Sequence, residues 1–272
     1  MTTHSLRWLA LHLALAPALL VGQTNTQPPV DLPHDSGSTG ADGPLIILEN
    51  QPGLRQLESA YDPSSGNIVA FGGEVETYST PHVTEEGMDY SHRTLQWSEH
   101  GLSRLDVAVH PTGRRAHGMA TDPARGEVVL FGGDSADGLL NDTWVWKDGA
   151  WTQKNPANAP GPRSHFEMVY CDFSNDDEAN GAVYLFGGFR GAGLFGDLWK
   201  WDGTDWQEVN DSGAPFPNTR YSMTFDSQRR FLLMYGGQGF QASTAMWAFR
   251  GDTLGWLQLR DDAAPARREL EM

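Results

Sequence analysis

Arg55, Arg115, Arg163 and Arg220 recur along the chain, each opening a stretch that a turn closes, and Arg267 begins another near the C-terminus. A guanidinium grips a carboxylate through two parallel hydrogen bonds. Gathered around an axis, these arginines would suit a carboxylate-bearing sugar or an acidic peptide. The competing expectation is structural: each arginine bonds loop carbonyls or pairs with an aspartate of its own or the next repeat, Asp142 and Asp197 being candidates. Between Gly73 and Leu95 lie Glu74, Glu76, Glu85, Glu86 and Asp89, with His82, His92, Tyr78 and Tyr90. Glu85, Glu86 and Tyr90 are candidate ligand contacts on such a loop, and a plain solvated insertion is the alternative. A second acidic stretch, Cys171 to Gly181, offers Asp172, Asp176, Asp177 and Glu178 as oxygen ligands for Ca²⁺. It lacks EF-hand spacing, so a solvated acidic loop is the competing reading. His117 and His165 each follow an arginine by two residues, and that recurrence favours packing over metal ligation. No nucleophile elbow, zinc-binding helix or phosphate-cradling glycine loop is present. No catalytic residue and no cofactor is therefore expected.

The composition narrows the partners. With 35 Asp+Glu against 19 Lys+Arg the net charge is -16, which argues against duplex nucleic acid or anionic lipid. The lone Cys171 excludes an intramolecular disulfide and a multi-thiolate zinc site. Thirty-one Gly, sixteen Pro and ten Trp point to many short strands joined by turns rather than a helical bundle.

Residues 1–22 read as a secretory signal peptide: Arg7 precedes an apolar run from Trp8 to Val21, shorter than the roughly 20 residues a membrane span needs. The protein is thus expected to be exported, to a periplasm or beyond the cell, with no span after cleavage. Residues 23–43, rich in Thr, Pro, Asp, Ser and Gly, read as a flexible linker.

The elements that must position the arginines emerge from an internal repeat. An apolar run ending in an aromatic and Gly-Gly occurs four times, at Phe71-Gly72-Gly73, Phe131-Gly132-Gly133, Phe186-Gly187-Gly188 and Tyr235-Gly236-Gly237. Downstream come Leu95-Gln96-Trp97, Trp144-Val145-Trp146, Trp199-Lys200-Trp201 and Trp247-Ala248-Phe249. A turn follows, then Leu105, Trp151, Trp206 or Trp256. Nine of the ten tryptophans fall in these last two strands. Each unit reads as four antiparallel strands, a to d, whose sheet cannot bury both faces alone. Radial stacking of such sheets gives a β-propeller.

This pattern resembles the kelch repeat, within the superfamily that includes galactose oxidase. The resemblance implies an all-β, kelch-type propeller over residues 44–272, with blades at about 54–107, 114–154, 162–209 and 219–260. Residues 44–50 and 261–272 would be fragments of a fifth, shared closing blade, the open alternatives being a four-bladed ring with ragged ends and an arc completed by a second copy. The scaffold, the export signal and the absence of a catalytic constellation together lead to the expectation of an exported binding module that presents loops to a protein or glycan ligand, with Arg55, Arg115, Arg163, Arg220, Glu85, Glu86 and Tyr90 as candidate contacts. Alternatives are a sialic acid epimerase-like enzyme acting on an acidic sugar, and a truncated, non-functional propeller. Copper oxidase chemistry is not expected, because Cys171 lies beside Tyr170 with no matching Tyr-His pair. An incomplete ring would expose two sheet faces and invite a homodimer.

Overall fold

A computed structural model describes residues 54–75, 89–174, 181–209, 214–239, 245–251 and 255–260. The segments read above as signal peptide, linker and closing blade lie outside the described residues, as do Glu85 and Glu86.

Four four-stranded antiparallel sheets follow one another along the chain. Blade 1 contains β2 (Glu58–Asp62), β3 (Asn67–Phe71), β6 (Thr94–Ser98) and β7 (Gly101–Leu105). Blade 2 contains β8 (Gly118–Asp122), β9 (Glu127–Ser135), β10 (Gly138–Lys147) and β11 (Ala150–Lys154). Blade 3 contains β12 (Glu167–Cys171), β13 (Ala182–Phe186), β14 (Leu198–Trp201) and β15 (Trp206–Val209). Blade 4 contains β16 (Tyr221–Asp226), β17 (Phe231–Gly236), β18 (Met246–Phe249) and β19 (Trp256–Arg260). Three very short strands, β1 (Leu54–Arg55), β4 (Glu74–Val75) and β5 (Asp89–Tyr90), form a small fifth sheet in the order β1-β4-β5. The fold is all-β, with the four blades of a kelch-type propeller.

Turn chemistry sets the strand boundaries. Asp148 and Gly149 both have positive φ (50° and 79°), the twist a two-residue hairpin needs, and Lys147 pairs with Ala150 across them. Asp62 accepts hydrogen bonds from the Ser64 amide and hydroxyl, closing the β2–β3 turn. In blades 1 to 3 the first glycine of the Gly-Gly pair is required because the next blade's backbone comes too close for a side chain. A Cβ on Gly72 would lie 2.4 Å from the Arg114 carbonyl oxygen, and one on Gly187 would lie 2.7 Å from that of Asn218.

The core lies between blades. Val69 and Phe71 of blade 1 meet Val128, Leu130, Trp146 and Trp151 of blade 2. Two indoles also donate across this boundary, Trp146 to Asp62 Oδ2 at 3.0 Å and Trp151 to Thr94 Oγ1 at 3.0 Å. Between blades 2 and 3, Trp206 donates to Thr143 Oγ1 at 2.9 Å, while Phe131 meets its ring edge-on. Aromatics thus supply buried area and a directed polar contact together. The innermost strands pack in sequence, β2 on β8, β8 on β12 and β12 on β16.

Candidate functional site

Backbone hydrogen bonds between blades fix which residues correspond. Gly73 donates to Arg114 O at 2.8 Å, Gly133 to Arg163 O at 2.8 Å and Gly188 to Asn218 O at 2.9 Å. Arg114, Arg163 and Asn218 therefore share one repeat position, and Arg55, Arg115, Ser164 and Thr219 share the next. One residue further stand Gln56, Ala116, His165 and Arg220, all with positive φ between 47° and 55°.

This register corrects the expected arginine ring. Arg163 is sealed from solvent and spent on structure: Nη1 and Nη2 reach the two carboxylate oxygens of Asp197 at 2.7 and 2.8 Å. Its Nη1 also donates to Gly187 O and its Nε to Gly161 O, and the Phe195 ring lies 3.8 Å below the guanidinium carbon. Arg114 makes the same clasp with Asp142 at 2.6 and 2.7 Å. Trp144 and Trp199 donate their indole N–H groups to these aspartates. Burial disfavours ionisation of Asp142 and Asp197, but the arginine hydrogen bonds and charge outweigh it and hold both pKa values below the ordinary range. The Arg-Asp alternative is thus realised, with Arg114 rather than Arg115 partnering Asp142. Arg55, Arg115 and Arg220 do not share one position with Arg163.

What remains at the inner mouth is a mixed cluster. Arg115 donates from Nη1 to Glu74 Oε2 at 2.5 Å and from Nη2 to Asp134 Oδ2 at 3.1 Å. Tyr90 donates to the same Asp134 oxygen at 3.3 Å, and its ring lies 5.5 Å from the Arg115 guanidinium carbon. The small sheet places these partners, since Arg55 pairs with Glu74 and Glu74 with Tyr90. Around the mouth, Gln56 Nε2 lies 3.4 Å from His165 Nε2. Burial first, then the charges of Arg220 and Arg115, lower the His165 pKa, so this imidazole stays neutral near pH 7. Arg55 and Arg220 are exposed at the same rim. Four non-glycine residues in left-handed backbone cost on the order of 1–3 kcal/mol each. The backbone bonds Ala116 N to Gln56 O and His165 N to Ala116 O hold the first three in place.

Below the mouth, two carboxylates that the sequence reading did not single out occupy one repeat position on the innermost strands. Glu58 and Glu167 correspond to Gly118 and Ser222 in the other blades. Water reaches both side chains, yet protein surrounds them, and desolvation pushes Glu58 up to about 7 and Glu167 up to about 8. The charge of Glu58 adds to the shift at Glu167. A sequence signal existed: Glu begins strand a in two of four repeats, where the alternative residues are small.

His117 and His165 are not equivalent. His117 occupies the position of Phe166 and Tyr221, buried between blades 1 and 2 with its ring edge toward Phe71. Asp172 accepts from the amide and hydroxyl of Ser174 and lies 3.7 Å from Arg230 Nη1. Asp176, Asp177 and Glu178 lie outside the described residues. Among the described residues no cluster of three or more His, Cys, Asp or Glu is placed to hold a metal. Cys171 is buried, which raises its thiol pKa well above the usual range.

Sequential four-stranded blades, inter-blade aromatic cores and a polar mouth around the innermost strands define a propeller of the kind that serves as a binding scaffold. The family description "KLHDC2/KLHL20/DRC7 Kelch-repeats domain" matches residues 60–270, and the chain belongs to this kelch-repeat family. It is 29% identical over 140 residues to the tRNA wybutosine-synthesizing protein 4 of Emericella nidulans, covering 44% of this chain and 13% of that protein. It is 30% identical over 161 residues to the human multiple epidermal growth factor-like domains protein 8, covering 53% of this chain and 5% of that protein. The rat form matches at 28% over 201 residues, 68% of this chain and 6% of that protein. The matches thus span only a small fraction of these relatives.

Proposed function

We propose that this chain is an exported kelch-repeat module that binds a protein segment or glycan at its inner mouth. The observation that carries this reading is the cluster of Arg115, Glu74, Asp134, Tyr90, His165 and Gln56, drawn from three blades and held by bonds between blades. It offers a cation, two carboxylates, an aromatic ring and a neutral imidazole, the mixed chemistry that reads polar ligands on a rigid scaffold. Export rests on the signal-like residues 1–22. The activities in the relatives' names are not carried over, because the shared stretch is a small part of those proteins.

An acidic-sugar enzyme loses the feature that motivated it, since Arg163 is committed to Asp197 and the repeated arginines do not converge as one set. The test is a glycan array and a displayed peptide library screened with the full chain, then repeated with Arg115→Ala and Tyr90→Ala. A ligand whose binding falls at least tenfold in both variants, with melting temperature little changed, is the expected result. Ligands indifferent to both substitutions would overturn the mouth as the binding site. Turnover of an acidic sugar abolished by Arg115→Ala would replace the binder with the enzyme.

A further inference from the structure

The four sheets repeat one another position for position, and the outer blades carry halves of an interface that the inner blades complete. In each sheet one row of side chains points toward the preceding blade. Val128 and Trp146 of blade 2, Val183 and Trp201 of blade 3, and Leu232 and Phe249 of blade 4 are all at most 1% exposed. The same row in blade 1 is Tyr61, Ile68 and Trp97, paired across β2, β3 and β6. These are 47%, 38% and 50% exposed. Closer to the axis this face is covered, Ala70 and Leu95 being buried, so the open part is the outer row. Scattered single apolar residues on a surface need no explanation. Ile68 and Trp97, whose counterparts are sealed in the other three blades, are a different matter, while Tyr61 corresponds to the half-buried Thr121, Tyr170 and Phe225.

Blade 4 shows the matching deficit on its opposite face. Val69, Val129 and Tyr184 of blades 1 to 3 are buried by the blade that follows each. Leu233, at the same position in blade 4, is half-buried, and so are Tyr235 and Met246, whose counterparts Phe71, Phe131 and Phe186 and Thr94, Thr143 and Leu198 are sealed. Among the described residues β16 and β2 do not pack as the successive inner strands do, and the two open faces do not meet there.

The boundary between blades 1 and 2 gives a template for what the open row meets. Trp146 in blade 2 donates its indole N–H to Asp62, the last residue of the preceding blade's innermost strand. Trp97 is the residue of blade 1 that corresponds to Trp146, and Asp226 is the residue of blade 4 that corresponds to Asp62. We propose that two copies of this chain join head to tail, the open face of blade 4 of each docking on Tyr61, Ile68 and Trp97 of the other. In this contact Trp97 donates to Asp226 of the second copy as Trp146 donates to Asp62 within one chain. Each copy offers one of each face, so two identical contacts close the pair.

The experiment is light scattering coupled to size-exclusion chromatography on the full chain, with Trp97→Asp and Leu233→Asp variants run alone and mixed. Trp97 is exposed and Leu233 half-buried, and circular dichroism and thermal melting check that each variant folds. The expected result is a wild-type dimer, two monomeric variants, and a dimer regained on mixing, because the mixture keeps one intact contact. Trp97→Phe, which keeps the ring and removes the N–H, should weaken association several-fold and remains informative if Trp97→Asp fails to fold. A wild-type monomer, species larger than two copies, variants that stay dimeric, or a mixture that stays monomeric would each overturn the proposal.

Discussion

Blades 2 and 3 are latched at their inner ends by one device, and blades 1 and 4 lack it. In the middle blades a sealed arginine holds two loop carbonyls, an aspartate and, through that aspartate, a tryptophan. At the arginine position blade 4 has Asn218, whose Nδ2 donates to Gly236 O at 3.2 Å and whose Oδ1 accepts from the neighbouring Thr219 N–H, and blade 1 has Leu54. Where Asp142 and Asp197 stand in the middle blades, blades 1 and 4 have Arg93 and Ala245. The difference teaches that kelch blades can share strand order and aromatic rows while differing in how firmly their loop ends are tied. A buried ion pair in which all three guanidinium nitrogens donate gives geometric definition even where its net energy is small.

The largest expected effect comes from breaking a clasp. Arg163→Ala leaves the Asp197 carboxylate without its cation and two carbonyls without their donor, and should cost about 3–5 kcal/mol in urea unfolding. A loss below about 1 kcal/mol would mean the clasp is incidental. Because the aspartates' pKa values are lowered on folding, their contribution is present above the unfolded value of about 3.9 and disappears as pH falls through the folded values.

Next in size is His117→Phe. Both ring nitrogens of His117 are buried without a partner among the described residues, and burial followed by the Arg114 charge lowers its pKa well below normal. Its neutral form is the stable one, so stability should fall as pH drops below about 6.5, where the unfolded imidazole takes a proton. Replacing it with the phenylalanine that blade 3 uses at this position should add about 1–2 kcal/mol. The gain should grow from pH 7 to pH 5.5. A pH-independent loss would show that the imidazole has a hidden partner.

A smaller effect separates two buried indoles. Trp146 donates to Asp62, whereas the Trp201 N–H has no acceptor among the described residues. Each Trp→Phe change removes similar area, so Trp146→Phe should cost about 1 kcal/mol more than Trp201→Phe in paired unfolding curves. Equal costs would mean that the cross-blade hydrogen bond adds nothing.

The smallest is Glu167→Gln. Its raised pKa makes the wild type lose stability as pH rises from about 4.5 through about 8. The glutamine variant should flatten that slope between pH 5 and 9 without shifting the acid side. An unchanged slope would place the carboxylate in ordinary solvent.

The blades were legible in the sequence because their signals are local and repeated: aromatic-Gly-Gly, the Trp rows, and Asp-Gly turns with a backbone reason. The Arg114-Arg115 doublet is where legibility failed. The two neighbours point to different environments, one sealed against Asp142 and the other toward the mouth, and spacing alone favoured the wrong one. Asp142 and Asp197, each two residues before a tryptophan, carried the correct register. Glu58 and Glu167 escaped notice because nothing local marks a strand residue as lining an axis; that follows only from packing several blades.

Native-state hydrogen exchange on the full chain tests most directly the claim that the arginine clasps make the middle blades the firm part of the propeller. The account predicts that the amides of Gly133 and Gly188, with the strands β9, β10, β13 and β14 around them, exchange slowest. The inner strands of blades 1 and 4 should open at lower free energy, and Arg163→Ala should bring blade 3 down to their level. Equal protection in all four blades, unchanged by that substitution, would contradict it.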